Sequence, residues 1–498
     1  MKTSSKPGLF AGPGGQNFAF TFVLVSSLFL LWGFCNGMID VMDKHFQNEL
    51  KLSLSQSAWV QFAHYLGYFL MAMPAGWLAS RLGYRGGIVV GLLMVAAGGF
   101  WFIPATQISA FWAFLLGVCL IAAGLTFLET VANPYTTVLG PKQYSATRIN
   151  LAQSCNGIGW IFGPLAGAAF FYSTNAEGQH TGGETLWIPY AGVAVVVVVL
   201  AVVFLKAPMP DIASQDEYHL DDEDADAAPA AVPNRPLALA LLWANLLVLS
   251  ASFGMIVTAI AMIFDADESH GLHVFLGSSI TVLIIATIVF FVRRNALTSH
   301  SIWSHPHFSG ATLAQFFYVA AQSGIFAYFI NYMTSAAPIA ISDKTASSLA
   351  SVGFLCFLAG RFSGAAILAK FSAHTVAAFY ALANILGCLL VVLKLGWISM
   401  ISVFAIYFFM SIMFPTIFAL GIHGLGARAK RASSYIVMAI MGGAIVPKLM
   451  GHIGDHYGIA TGFLVPLTCF GFVAAYTLFW PRLSGAKHVV APVKVGSH

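Results

Sequence analysis

The stretch Phe127-Leu-Glu-Thr-Val-Ala-Asn-Pro-Tyr-Thr-Thr-Val-Leu-Gly-Pro141 closes a long apolar run with a carboxylate and a proline. Its second part, from Pro134 to Gly140, has the spacing of Pro415-Thr-Ile-Phe-Ala-Leu-Gly421, 281 positions further on. Downstream, Arg148, Gly159 and Pro164 return as Arg431, Gly442 and Pro447, all at an offset of 283. Proline and glycine are frequent in spanning helices, so one match alone would carry little. Two matched sets at nearly one offset indicate two similar halves.

Composition sets the solvent of those halves. The 498 residues are 58% hydrophobic and 8% charged, with mean hydropathy +0.81. A soluble protein carries roughly 25% charged residues. Apolar runs of twenty or more residues exclude a β-barrel, whose strands show weak alternation over about ten. The chain is therefore expected to be an all-α integral membrane protein in contact with the lipid bilayer.

A spanning helix needs about 20 mainly apolar residues. Candidate spans lie near 19–40, 57–80, 87–105, 110–133, 150–172 and 186–205, then 237–264 and 272–292, then 309–334, 346–369, 375–394, 397–420, 433–451 and 460–480. That predicts about fourteen transmembrane helices, arranged as six, two and six. The expected domains are an N-terminal six-helix half (1–206), an acidic cytoplasmic linker (207–236), two additional helices with their loop (237–308), a C-terminal six-helix half (309–481) and a cytoplasmic tail (482–498). The linker holds eight of the nineteen acids. With the amino terminus inside, seventeen lysines and arginines fall in inner segments and four in outer ones, as the positive-inside rule requires. Both termini are thus expected to be cytoplasmic, in the cytoplasmic (inner) membrane of the cell.

Several classes fall away. A net charge of +4 is too small to argue for nucleic acid. All six cysteines lie in apolar spans, so no disulfide framework is implied. The polar start, Met1 to Asn17, lacks a cleavage site, so the first span reads as a retained helix. His452 and His456 flank Asp455 without further convergent ligands, and no metal site is expected. No phosphate loop, nucleophile elbow or other catalytic constellation is present, so no enzyme and no cofactor are expected.

Two six-helix halves related along the membrane normal are the architecture of the major facilitator superfamily, with the substrate site between the halves near the midplane. Inside the apolar runs only two acids occur, Asp40 and Glu129. A carboxylate in hydrocarbon is costly and marks a functional site by default. Both are candidates for proton coupling, Glu129 first. The alternative for Glu129 is a fixed ion pair, with Lys448 or Arg361. Asp43, beside Lys44, is expected at a solvated helix end.

Polar residues three and four positions apart share a helix face. Trp32, Asn36, Asp40 and Asp43 form such a stripe, as do Gln61, His64, Tyr65 and Tyr68. Asn150, Gln153 and Asn156 make a third, and Gln315, Tyr318 and Gln322 a fourth. Amides offer both donor and acceptor to a hydroxyl, which is itself both. Asn36, Gln61, His64, Tyr65, Asn133, Gln153, Asn156, Gln315, Tyr318 and Gln322 are the expected lining of a sugar site. Asn331 and Tyr332 fall off the fourth stripe. Inter-helix hydrogen bonding is the bland alternative for each.

The stretch from Leu31 to Tyr172 resembles the fucose:proton symporter family of that superfamily. The resembling runs are Gln61-Phe-Ala-His-Tyr-Leu-Gly-Tyr-Phe-Leu70, the Phe127–Pro141 stretch and Arg148-Ile-Asn-Leu-Ala-Gln-Ser-Cys-Asn-Gly157. They continue in Leu313-Ala-Gln-Phe-Phe-Tyr-Val-Ala-Ala-Gln322, Phe414-Pro-Thr-Ile-Phe-Ala-Leu-Gly-Ile422 and Ser433-Ser-Tyr-Ile-Val-Met438. Fucose permeases resemble one another in having Leu-Glu-Thr where glucose/galactose relatives tend to have Leu-Gln. Here the resemblance implies monosaccharide import, L-fucose first, by proton symport, in a monomer. Glucose, galactose and an N-acetylhexosamine remain open as substrates; a proton-linked drug exporter and a membrane-embedded enzyme are the remoter alternatives. Two departures stand out. The superfamily's loop motif survives only as Gly76-Trp-Leu-Ala-Ser-Arg-Leu-Gly-Tyr-Arg85, with Ser80 in place of aspartate, and the two central helices lie outside the usual twelve.

Overall fold

The structure, a computed structural model, describes residues 9–12, 16–140, 145–172, 185–209, 234–264, 268–294, 301–368, 371–423, 425 and 429–484. Most of the acidic linker and tail lies outside these residues. The described chain is helical almost throughout, the form in which a segment satisfies its own backbone in hydrocarbon.

The helices of the first half are α1 (Ala19–Leu50), the single turn α2 (Leu54–Ser57), α3 (Trp59–Ile108), α4 (Phe111–Val138), α5 (Ser145–Phe170) and α6 (Trp187–Lys206). The two additional helices are α7 (Arg235–Phe264) and α8 (Glu268–Arg293). There follow α9 (Pro306–Ala327), α10 (Phe329–Ser335), α11 (Asp343–Leu368), α12 (Ala373–Val392), α13 (Trp397–Met410), α14 (Met413–Ile422), α15 (Ala429–Met438), α16 (Gly442–Tyr457), α17 (Ile459–Gly462) and α18 (Leu464–Ser484).

Among the described residues, eleven helices are long and apolar enough to cross a membrane, or twelve if the bent pair α9 and α10 is one span. The predicted spans 57–80 and 150–172 are helical but are not among them. Their polar stripes and glycines dilute the hydropathy, so this criterion does not establish fourteen. The first helix runs ten residues beyond its predicted end, to Leu50. The second and third spans join in α3 across a break at Gly83, where φ is 69°; glycine reaches that left-handed region without steric cost. Gly83 belongs to the loop motif, and Arg85 beside it donates to the carbonyls of Phe204 and Ala207 at the end of α6, at 3.0 and 3.3 Å.

The chain forms two compact units, residues 1–215 with 326–358, and residues 216–325 with 359–498. The boundary passes through α9 and α11, so α10 and the start of α11 belong with the first six helices. In the first unit α1 and α5 pack backbone to backbone. A Cβ at Gly33 would lie 2.0 Å from the Asn156 carbonyl oxygen, and one at Gly163 would lie 2.6 Å from the Gly37 carbonyl carbon. Small residues allow such close approach, the main source of helix association in lipid. In the second unit α7 meets α9 through the Asn245 amide, which donates to the Ser309 carbonyl at 3.0 Å. Exposed Leu272, Ile280, Ile284 and Val292 give α8 an apolar face.

Candidate functional site

In the first unit the stripes of α1 and α3 meet in antiparallel register. Near one end the Trp32 indole N–H donates to the Tyr68 hydroxyl in a short hydrogen bond. Toward the other end the Gln61 amide nitrogen donates to Asp40 Oδ1 at 3.3 Å and to Asp43 Oδ2 at 3.2 Å. His64 lies between these contacts, buried, with its ring centroid 5.0 Å from that of Tyr68 and 5.1 Å from that of Tyr65. Asn36 is buried on the same line, and its side-chain oxygen has no hydrogen-bond partner.

Glu129 enters from α4. It lines a small recess with Leu28, Phe29, Trp32, Leu128 and Ala132. Within that recess the carboxylate meets apolar side chains and one indole. Its electrostatic neighbour is Tyr68, the residue that Trp32 holds. Glu129 makes no ion pair or hydrogen bond among the described residues, so the fixed ion pair weighed for it is not seen there. A carboxylate with no fixed cation among the described residues suits a group that exchanges a proton.

One sequence expectation changes, and one residue outside the stripes gains a partner. Asp43 is not a solvated end residue; it is 0% exposed. The helix continues seven residues past it and the end of α5 covers it, where the Tyr172 hydroxyl donates to the Val41 carbonyl at 2.7 Å. Asn331, off the ninth-span stripe, forms a reciprocal amide pair with Gln47. The break at Tyr328 turns α10 by 46° from α9, so a register carried through from Gln322 fails. A polar residue after a helix break was the signal available.

The same unit holds a belt of contacts at the Leu50 end of α1. The Tyr328 hydroxyl donates to the Leu54 carbonyl at 2.7 Å, and the Asn48 amide to Asp343 Oδ2 at 2.6 Å. Away from that end, where α5 packs on the middle of α1, Ser347 and Ser351 of α11 donate to the Pro164 and Ile161 carbonyls at 2.7 and 2.6 Å.

Of the remaining predicted lining, Asn156 is buried and its amide nitrogen lies 3.4 Å from the Phe29 carbonyl oxygen. Gln153 is half-buried on the same helix. Asn133 lies in α4, and its side chain is outside the described set. In the second unit Gln315 is 0% exposed, with both amide atoms lacking a hydrogen-bond partner. Tyr318, one turn on, is buried and donates to the Met410 carbonyl at 2.9 Å. Gln322 is half-buried. Arg361 Nε lies 3.4 Å from the Ser411 carbonyl oxygen.

A many-helix apolar fold with an internal repeat and a solitary acid in an apolar recess defines a multi-pass membrane transporter rather than an enzyme. Comparison with known proteins supports this. The family model of the Major Facilitator Superfamily matches residues 21–300. The L-fucose-proton symporter of Escherichia coli (strain K12) is 32% identical over 465 residues, covering 93% of this chain and 94% of that protein. A glucose/galactose transporter of Brucella abortus biovar 1 (strain 9-941) is 28% identical over 464 residues, with 93% and 94% covered. A crystal structure of the superfamily transporter FucP in the outward conformation aligns with a TM-score of 0.58 at 30% identity, covering 93% of this chain and 99% of that one. The chain belongs to the major facilitator superfamily, in the branch of the fucose:proton symporter.

Proposed function

We propose that the protein imports a monosaccharide, L-fucose first, by proton symport with alternating access. The observation that carries this reading is Glu129, an acid without a cation partner among the described residues, in an apolar recess beside the Trp32–Tyr68 pair. A proton would load at Glu129 while the carrier faces outward and leave when it faces inward. Asp40 would assist the coupling. Asn36, Gln61, His64, Tyr65, Asn133, Gln153, Asn156, Gln315, Tyr318 and Gln322 would supply the polar lining. Coupling needs only that sugar and proton favour the same conformational states. The setting would be the cytoplasmic (inner) membrane, with both termini cytoplasmic. The similarity to a fucose-proton symporter and the Leu128-Glu129-Thr130 run support the substrate and the ion. Comparable similarity to a glucose/galactose transporter supports the second reading, in which the hexose differs and the cycle does not.

Uptake of radiolabelled sugars into proteoliposomes tests it. An inward proton gradient should drive accumulation of L-fucose, and Glu129→Gln should abolish accumulation while leaving counterflow exchange. Accumulation that ignores the gradient would leave a passive carrier. A panel of unlabelled competitors, galactose and glucose among them, then ranks the hexoses.

A further inference from the structure

Asp43 is a fully buried acid for which the transport cycle above has no task. It lies three residues from Asp40, on the same face of α1. One nitrogen, Gln61 Nε2, is within hydrogen-bond distance of both carboxyl groups, at 3.3 Å from Asp40 Oδ1 and 3.2 Å from Asp43 Oδ2. The other two oxygens, Asp40 Oδ2 and Asp43 Oδ1, are buried and have no hydrogen-bond partner.

The surroundings offer little to offset two negative charges. From α3 comes the Gln61 amide, with the buried imidazole of His64 one turn along the same face. From the end of α5 comes Tyr172, an electrostatic neighbour of both Asp43 and Asp343, whose hydroxyl is committed to the Val41 carbonyl. On α1 itself His45 contacts the Phe171 carbonyl at 3.0 Å, and Lys44 is half-exposed. Neither Asp40 nor Asp43 makes a further hydrogen bond or ion pair among the described residues.

Two like charges in one desolvated site oppose each other, and such a pair titrates as a unit. An amide N–H₂ group can serve one oxygen of each acid and no more. A proton on one carboxyl turns an orphaned acceptor into a donor and removes the repulsion together. The amide meets both acids with its N–H₂ group and not its oxygen, which suits a proton and disfavours a metal cation.

We propose that Asp40 and Asp43, bridged by Gln61, form a second proton-binding site, separate from Glu129, in which the two carboxyl groups hold one proton between them. The proton comes from water on one side of the membrane and binds a carboxylate oxygen; no other bond changes. The proposal rests on the symport reading for what the proton does in transport, not for its presence.

Infrared difference spectroscopy of the full-length carrier in lipid vesicles tests it. Protein grown with aspartate isotope-labelled at the side-chain carboxyl shifts aspartate carbonyl bands and leaves glutamate bands in place. Unaltered protein at neutral pH should show a protonated-carboxyl band that shifts with labelled aspartate and persists in Glu129→Gln. Asp43→Asn should move or abolish that band. Asp43→Glu, which keeps a carboxyl if the amide disturbs folding, should transfer part of the signal to the unlabelled position. The pH dependence of sugar counterflow should move in Asp43→Asn by about tenfold in proton concentration. The proposal is overturned if no protonated band follows the aspartate label, or if the band is the same in Asp43→Asn. A labelled band together with uptake indifferent to the gradient would defeat the symport reading and leave this site standing.

Discussion

The side-chain amide of Asn331 donates to Gln47 Oε1, 284 positions earlier in the chain. Gln47 in turn places its amide nitrogen 3.5 Å from Asn331 Oδ1 and donates to the Ser57 hydroxyl at 2.8 Å. Both residues are buried. This pair joins the end of α1 to α10 within the first unit, and it has a measurable consequence.

Removing one member strands the other. A buried amide without a partner costs about 1–3 kcal/mol, whereas replacing both members by apolar groups can be nearly neutral. Asn331→Ala should therefore loosen the contact at the Leu50 end of α1. Labelling of an Asn48→Cys reporter by a membrane-impermeant maleimide should rise by roughly tenfold, since 1.4 kcal/mol is one decade. The double variant Gln47→Leu with Asn331→Leu should label near the starting rate. Equal labelling in all three would show that the pair holds nothing.

The Trp32–Tyr68 hydrogen bond positions the ring that faces Glu129. Trp32→Phe keeps an aromatic ring and deletes the donor. Each of Trp32→Phe and Tyr68→Phe should weaken proton-driven uptake by several-fold, corresponding to about 1 kcal/mol. The two changes together should cost little more than either, because residues in one hydrogen bond are coupled. Additive losses, measured as half-saturation at fixed pH, would contradict the pairing.

Gln315 combines complete burial with two unpartnered polar atoms. Such a group is unfavourable unless a ligand satisfies it. Gln315→Leu should leave thermal stability in detergent unchanged or slightly raised, since the unsatisfied amide is gone. It should also erase the stabilisation that sugar confers, which for a saturating ligand at about 100 times its Kd is about 2.7 kcal/mol. Retained sugar stabilisation would remove Gln315 from the lining.

Glu129 links uptake to external pH, with a defined sign. If loading requires the protonated acid, uptake rises as external pH falls and declines as it rises. In Glu129→Gln, which mimics the neutral form, counterflow should lose the share of that dependence that Glu129 carries and keep the share set by the Asp40–Asp43 pair. A Glu129→Gln profile parallel to the unaltered protein would assign the dependence to another group.

Close packing of α1 on α5 sets a stability test. A Cβ at Gly33 would lie 2.0 Å from a backbone oxygen, whereas one at Gly192 would meet nothing within 4 Å. Gly33→Ala should cost about 1–3 kcal/mol or more through overpacking, and Gly192→Ala should be silent. Thermal unfolding in detergent separates the two.

Parts of the site were legible at helical spacing. Asp40 lies on one stripe and Gln61 and His64 on another, and the structure brings Asp40 to Gln61. Trp32 and Tyr68, each on its predicted stripe, meet as partners. Asp43 was misplaced because charge near a predicted helix end usually means water, and α1 in fact continues to Leu50. Asn331 falls off the fourth stripe, and its pairing with Gln47 was not legible because a 46° bend follows Ala327 and the partner lies 284 positions earlier.

The sequence alone determined that this chain lives in lipid, repeats itself and carries two solitary acids in apolar runs. Those properties follow from residue type and short-range order, which the bilayer and helix geometry make decisive. Only the tertiary structure decided what each acid faces. Asp40 shares one amide with Asp43, whereas Glu129 faces apolar side chains and an indole. Solvation and pairing of a charge depend on neighbours brought together from distant segments, and no local pattern encodes them.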